Sequence, residues 1–166
     1  MTRKRTIPAI FLVRSQSARE RLLNNGVEHV LLTTEPDFES RLEGLAADLG
    51  TTAVLDGLGG DLLTRILPRL PMNSTAYIYG FMGGPVPISL PATLLMGRNL
   101  IVRRFSNLES ATVSKPDALA AAINDIEGLI DDPLFVTRIG KEFNFDQVYE
   151  AMSYEATSGA RAILVP

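Results

Sequence analysis

The chain has 166 residues, 46% apolar and 21% charged, a balance that suits one soluble globular domain with a sizeable core and excludes a disordered chain. A net charge of −3 offers no broad attraction for nucleic acid, and the one dense basic run, Arg3 to Arg5, reads as a solvated tail. With no Cys and a single His, disulfides, thiolate nucleophiles, Cys-rich zinc sites and two-histidine metal clusters are set aside.

Basic residues followed by "IPAIFLV" imitate the start of a signal peptide, but the apolar run is short and "RSQSARER" replaces a small-residue cleavage site. No segment is long enough to span a bilayer, so no membrane partner is expected and the cytoplasm is the default compartment. Residues 7 to 13 predict a strand buried on both faces, with Pro8 tolerated at its beginning. Ser17 and Glu20 then make an S-x-x-E capping pattern for a helix that stops at Asn24-Asn25-Gly26.

Residues 28 to 32 predict a second strand. "DFESRLEGLAADLG" sets Phe38, Leu42, Leu45, Ala46 and Leu49 on one helical stripe, ending at Gly50. "TTAVLD", 51 to 56, is a third strand, "GLGG" turns into a helix from Asp61 to Leu70, and "STAYIYG" is a fourth strand. Strands alternating with helical crossovers point to a parallel sheet covered on both faces, the α/β class.

Beyond Gly84 come the extended "PVPISLP", a short helix at 92 to 97, the strand "NLIVRRF" at 99 to 105 and a long helix from Pro116 to Ile130. A short strand in "FVTRIGKEF", an amphipathic helix over "NFDQVYEAMSYEA" and a closing strand in "GARAILVP" complete the chain. There is no domain boundary and no repeat.

Ligands of open α/β sheets bind beyond the carboxyl ends of the strands, so the turns there carry the functional signal. Arg14 and Ser15, with Arg19 one helical turn on, offer cationic and hydroxyl donors at a helix N-terminus, suited to a phosphate monoester; the alternative is a solvated arginine pair. Asp56-Gly57-Leu58-Gly59-Gly60 permits close backbone approach, yet Leu62 stands where a G-x-G-x-x-G motif needs its last glycine. A phosphorylatable receiver site at Asp56 would need an acidic pair and a later lysine, whose place Gly80-Phe81 occupies. "YGFMGG" brings backbone and an aromatic to the same edge, suited either to a flat ring or to core packing. Tyr77, Tyr79 and His29 read as structural, and neither a G-x-S-x-G elbow nor a paired-carboxylate spacing is present.

In this order the segments resemble the cofactor-binding portion of the medium-chain dehydrogenase/reductase superfamily, in its zinc-independent quinone oxidoreductase and enoyl reductase branch. The resemblance is carried by "FLVRSQSARERLLNNGVEHVL", "AVLDGLGGDLL", "YIYGFMGG", "NLIVRRF" and "ATSGARAILV", and spans nearly the whole chain. It implies a Rossmann-like, mostly parallel sheet and an NADPH-dependent oxidoreductase, alcohol dehydrogenase-like in fold and without zinc. Arg14, Ser15 and Arg19 would favour the 2′-phosphate of NADP over NAD, and Asp56, Gly59 and Gly60 would line the cleft. Gly80 and Phe81 would lie near the nicotinamide, and Arg161 near the phosphates. The strand Asn99 to Phe105 would pair two copies into a homodimer.

Two departures accompany the resemblance. Leu32, Thr33 and Thr34 stand where relatives often carry a tyrosine near the adenine. The family's GroES-like catalytic domain, and the first strand and glycine turn that hold the pyrophosphate, have no counterpart here, so residues 1–166 read as a single truncated nucleotide-binding domain. Charge-assisted hydrogen bonds are worth roughly 1.5–3 kcal/mol each, so losing several would weaken dinucleotide binding by orders of magnitude. In the order 3-2-1-4-5-6 the unmatched strand lies between the two halves of the sheet, which predicts a slot with unpaired edges. The other reading of the chain is a catalytically silent interaction or dimerisation module.

Overall fold

The computed structural model describes residues 6–155 and 160–166; Arg3 to Arg5 and the "ATSG" part of the last motif lie outside them. The apolar run beginning at Ile7 becomes strand β1 (Ile10–Val13), followed by helix α1 (Gln16–Asn24) and strand β2 (His29–Leu32). Ser15, not Ser17, caps α1: its φ of −122° and ψ of 145° are extended, and its Oγ accepts from the Ala18 N–H at 3.3 Å. The chain enters the helix as soon as β1 ends, which leaves Ser17 inside the first turn. Gly26, at φ 76°, takes the left-handed conformation that lets the chain turn from α1 toward β2.

Helix α2 (Phe38–Asp48) buries Phe38, Leu42 and Ala46, residues spaced by four along one face. Strand β3 (Ala53–Asp56), helix α3 (Gly60–Ile66), a 3-10 turn (Leu67–Arg69) and strand β4 (Thr75–Ile78) follow. Helix α4 (Ala92–Arg98) ends at Asn99 in the left-handed region and leads to strand β5 (Ile101–Arg104). Helices α5 (Ala111–Ser114) and α6 (Pro116–Glu127) precede strand β6 (Ile139–Asn144). Helix α7 (Val148–Met152) and strand β7 (Arg161–Val165) close the chain. The helix expected over residues 144 to 156 is shorter: a 3-10 turn opens it at Phe145 and it is capped at Ser153.

All the strand pairing is parallel, as expected, but it falls into separate ladders. β1 pairs with β2, β3 with β4 and β4 with β5, while β6 and β7 pair with each other. No hydrogen-bonded strand joins β1 to β3 among the described residues. The β1–β2 and β3–β4–β5 ladders nevertheless share one core. Leu31, with Ile10 and Leu12, meets Phe38, Leu63 and Leu67, and on the other ladder Ala76, with Val54 and Ile78, packs into the same cluster.

Helix α1 lies against β1 and β2, whereas α2 packs on β2, the 3-10 turn and α3. The core therefore sits on the face of the sheet that carries α2 and α3. The opposite face is far less covered, and Leu55 is 71% exposed there. No described helix is long and apolar enough to cross a membrane.

Candidate functional site

Three turns leave the carboxyl ends of β1, β3 and β4. At the first, Arg14 is exposed and has no ion pair among the described residues. Ser15 is exposed beside it, its hydroxyl 3.2 Å from that of Ser17. Arg19 is placed differently, because its side chain is only 25% exposed and its Nη1 donates to Glu35 Oε1 at 2.9 Å. Glu35 also accepts from Arg41. A carboxylate from the turn after β2 thus holds Arg19 back from the open surface, and the guanidinium Nε is buried without a partner.

At the second turn Asp56 is buried and faces its own backbone: its carboxylate accepts from the Leu58 N–H at 3.2 Å and the Gly59 N–H at 2.8 Å. These bonds fold the glycine turn. Gly59 (φ 71°) and Gly60 (φ 59°) supply the positive dihedrals that it requires, and a β-carbon on Gly60 would press on Val86 at 3.2 Å.

The third turn is laid directly on the second. The backbone N–H groups of Tyr79, Met82 and Gly83 donate to the carbonyls of Asp56, Gly57 and Leu58 at 2.9, 3.0 and 3.0 Å, so the pairing of β3 with β4 continues through both loops. Gly80 must lack a side chain because a β-carbon would sit 2.9 Å from the Gly57 carbonyl oxygen. Phe81 and Met82 project outward, 83% and 74% exposed. The arrangement is a rigid double turn with an apolar aromatic tip, open enough for a flat ring to rest on it.

Arg161 opens β7 and lines a cleft of about 780 Å³ with Ser17, Glu20 and Arg21 of α1 and residues 133–138. Arg14, Ser15 and Arg19 do not line that cleft. Asp56, Gly59, Gly60, Gly80 and Phe81 are therefore brought together; Arg14 and Ser15 form a second group; Arg161 stands with neither. Tyr77 packs edge-on against Phe105 with ring centroids 6.5 Å apart, and His29 lies 3.8 Å from Glu28.

The perturbed titrations belong to an ion-pair run along the helices of the core face. Hydrogen bonds from Arg65 and then Arg69 hold the Glu39 carboxyl below its ordinary range, and Glu39 and then Glu43 raise Arg69. The Arg65 guanidinium also donates to the Thr33 carbonyl and lies over the Phe38 ring, which marks it as structural.

Sequence reasoning did not single out Glu35 or Gly83. Glu35 lies 16 residues from Arg19, so no local pattern announces the pair. Gly83 is required by contact between two turns, since a β-carbon there would lie 2.7 Å from the Leu58 carbonyl oxygen. The "GLGG" and "GFMGG" strings hold that signal only for a reader who already knows that the strands preceding them are neighbours.

No protein-family model matches this chain, and no curated protein does. Solved structures do. A chain from Mesorhizobium loti assigned as an NADPH:quinone reductase superposes with a TM-score of 0.78 at 19% identity, covering 98% of this chain and 47% of its own. A mycobacterial protein complexed with NADPH gives 0.64 at 19% identity, over 87% of this chain and 45% of its own. The mitochondrial 2-enoyl thioester reductase heterodimer from Candida tropicalis gives 0.67 at 16%, over 87% and 43%. This chain thus spans less than half the length of these structures. At such identities the likeness is one of fold: a mostly parallel, Rossmann-like α/β arrangement shared with structures of NADPH:quinone and enoyl reductases.

Proposed function

We propose that the chain is the nucleotide-binding portion of an NADPH-dependent oxidoreductase of the medium-chain dehydrogenase/reductase superfamily, quinone reductase or enoyl reductase-like. The observation that carries this reading is the pairing state of the two arginines after β1. Arg19 is neutralised by Glu35, whereas Arg14 has no internal carboxylate among the described residues and stands beside the Ser15-capped start of α1. An exposed guanidinium next to free helix N–H groups suits a phosphate monoester such as the 2′-phosphate of NADP.

The fit to a whole dinucleotide is partial. Arg14 and Ser15 would hold the 2′-phosphate, with Arg19 contributing if Glu35 releases it. The double turn of Asp56, Gly59, Gly60, Gly80 and Phe81 would support the nicotinamide end, and Arg161 would approach the phosphates only across the α1 flank. No glycine-rich strand-to-helix turn for the pyrophosphate is found between β1 and β3 among the described residues. When bound, the cofactor supplies hydride from C4 of its nicotinamide to a quinone or an activated alkene. This chain's part is to bind the phosphate, to fix the ring against the double turn and to exclude water from its exposed apolar tip.

Nicotinamide fluorescence titration with NADPH and NADH tests the reading, alongside a quinone reduction assay. Stronger binding of NADPH than NADH is expected; no binding of either at millimolar concentration would overturn it.

A second reading, an interaction or homodimerisation module, draws support from β5. It is the outer strand of its ladder, with Ile101 50% and Phe105 43% exposed along Asn99 to Phe105. An open, apolar edge of this kind pairs readily with another copy. Sedimentation of the wild type and of Val102→Pro separates the readings, because loss of a dimer without loss of NADPH binding would assign β5 to assembly alone.

A further inference from the structure

Arg138 and Arg161 stand together where two neighbouring strands begin. The Arg161 N–H donates to the Arg138 carbonyl at 2.7 Å, and Arg161 is the register partner of Ile139, the first residue of β6. Both arginines are exposed, and neither has an ion pair among the described residues. Like charges held side by side on adjacent strands repel one another. The pair is therefore destabilising until an anion joins it.

Both arginines line the cleft of about 780 Å³, whose two walls differ in chemistry. One wall is the polar face of α1, where Ser17, Glu20 and Arg21 recur at helical spacing. Among the described residues Glu20 carries the only carboxylate of the lining, and that carboxylate accepts from Gln16 Nε2 at 2.9 Å instead of meeting either arginine. The other wall is the segment before β6, where Phe135 and Val136 are 45% and 62% exposed. The cleft thus combines two unpaired guanidiniums, a hydroxyl at Ser17 and an apolar side with an aromatic ring. Small-molecule sites have this size and this mixture of a few polar groups with apolar walls.

We propose that this cleft binds a phosphate monoester with a small apolar body, its phosphate held by Arg138 and Arg161. Two unpaired guanidiniums call for a dianion, and a phosphate monoester carries a charge of about −1.5 to −2 at pH 7. Its oxygens also match the planar donor fork of arginine. A monocarboxylate would leave one arginine unanswered, and inorganic phosphate would leave Phe135 in water. A long polyanion is disfavoured by the net charge of −3. The site stands apart from the cofactor reading, because Arg14, Ser15 and Arg19 do not line the cleft. Its ligand would also tie α1 to the β6–β7 pair, since each supplies one side of the cleft.

The test is an NMR titration of the 166-residue chain with phenyl phosphate, with inorganic phosphate and phenol as the two halves of that probe. Phenyl phosphate is expected to shift the resonances of Ser17, Phe135, Arg138 and Arg161 saturably and to bind more tightly than either half. Arg138→Gln and Arg161→Gln should each weaken it by about tenfold or more, the loss of a charge-assisted hydrogen bond. Lys141→Gln removes the same charge from β6 but does not line the cleft, and should change binding by less than about twofold, because salt screens a charge outside the site. All three residues are exposed, and thermal melts of the variants show that each is folded. Four results would each overturn the proposal: no saturable shift; equally tight binding of inorganic phosphate, meaning that the apolar wall is unused; the same loss in Lys141→Gln, meaning a diffuse positive field; or competitive displacement of phenyl phosphate by NADPH, meaning that the cleft belongs to the cofactor. Failure of NADPH to bind at all would sink the cofactor reading and leave this site standing.

Discussion

Gly83 is bonded to the residue that forbids it a side chain: its N–H donates to the Leu58 carbonyl at 3.0 Å, and a β-carbon on Gly83 would lie 2.7 Å from that same oxygen. Gly80 meets the Gly57 carbonyl in the same way, at 2.9 Å. Backbone cannot swing aside as a side chain does. Gly80→Ala and Gly83→Ala are expected to destabilise the chain by about 1–3 kcal/mol, as overpacking does. Gly57→Ala meets only the far end of the exposed Tyr79 ring and should cost less than about 1 kcal/mol. Urea unfolding of the three variants checks the order, and an equal cost for all three would refute the stacked-turn account.

Arg14 and Arg19 should separate in function. Arg14→Glu is expected to lower the preference for NADPH over NADH by about tenfold to a hundredfold, the loss of a charge-assisted hydrogen bond worth about 1.5–3 kcal/mol. Its stability should stay within about 0.5 kcal/mol, since the residue is exposed. An unchanged preference would remove Arg14 from the phosphate site.

Glu35→Gln tests the restraint on Arg19. Removing the carboxylate leaves Arg19 without its ion-pair partner and Arg41 with Asp37 alone, so the melting temperature is expected to fall while NADPH affinity rises as Arg19 becomes available. Lower affinity in Glu35→Gln would show that Arg19 does not reach the phosphate and that Glu35 serves the fold alone.

Acid should weaken the fold partly through Glu39. Its carboxyl is held below the ordinary value of 4.5, first by Arg65 and then by Arg69. A carboxyl whose folded pKa is depressed contributes stability above its unfolded pKa and loses that contribution as pH falls through the folded value. Thermal melts from near neutrality to about pH 3 should show a steeper acid loss in the wild type than in Glu39→Gln. At neutral pH the substitution should cost about 0.5–1 kcal/mol, because the side chain is a third exposed and water screens the pair. Parallel curves would mean that the pair adds nothing.

Phe38 tests whether the two ladders share one core. It is 1% exposed and lies among residues from both. Phe38→Ala is expected to cost about 3–5 kcal/mol and to lower a single melting transition common to both ladders. Separate transitions would indicate two independent units.

How far the fold could be read from the chain depended on the range of the interaction. Phe38, Leu42 and Ala46 recur at helical spacing, and Gly26 and Gly50 end their helices with positive φ; all of this is local and legible. The cap of α1 was misread by two residues because Ser15 and Ser17 are equally able to cap, and only the end of β1 decides between them. The stacked turns were beyond reach, since Gly83 is a glycine on account of Leu58, 25 residues away along the chain. So was the pairing of Arg19 with Glu35, which separates it from Arg14 although the two stand side by side in the "RSQSAR" stretch. The break between β1 and β3 was anticipated from the order of the segments, but which peptide groups line it follows only from the observed register.

The divided sheet also bears on how the molecule behaves in concentrated solution. An unbroken sheet of five strands has two edges; β1–β2 and β3–β4–β5 have four between them. Each edge strand is only four residues long, short enough to limit runaway stacking, yet the inner two are apolar. Solubility should therefore be set less by net charge than by whether the inner edges are covered, and any covering strand would act for this chain as a solubilising chaperone as well as a structural part.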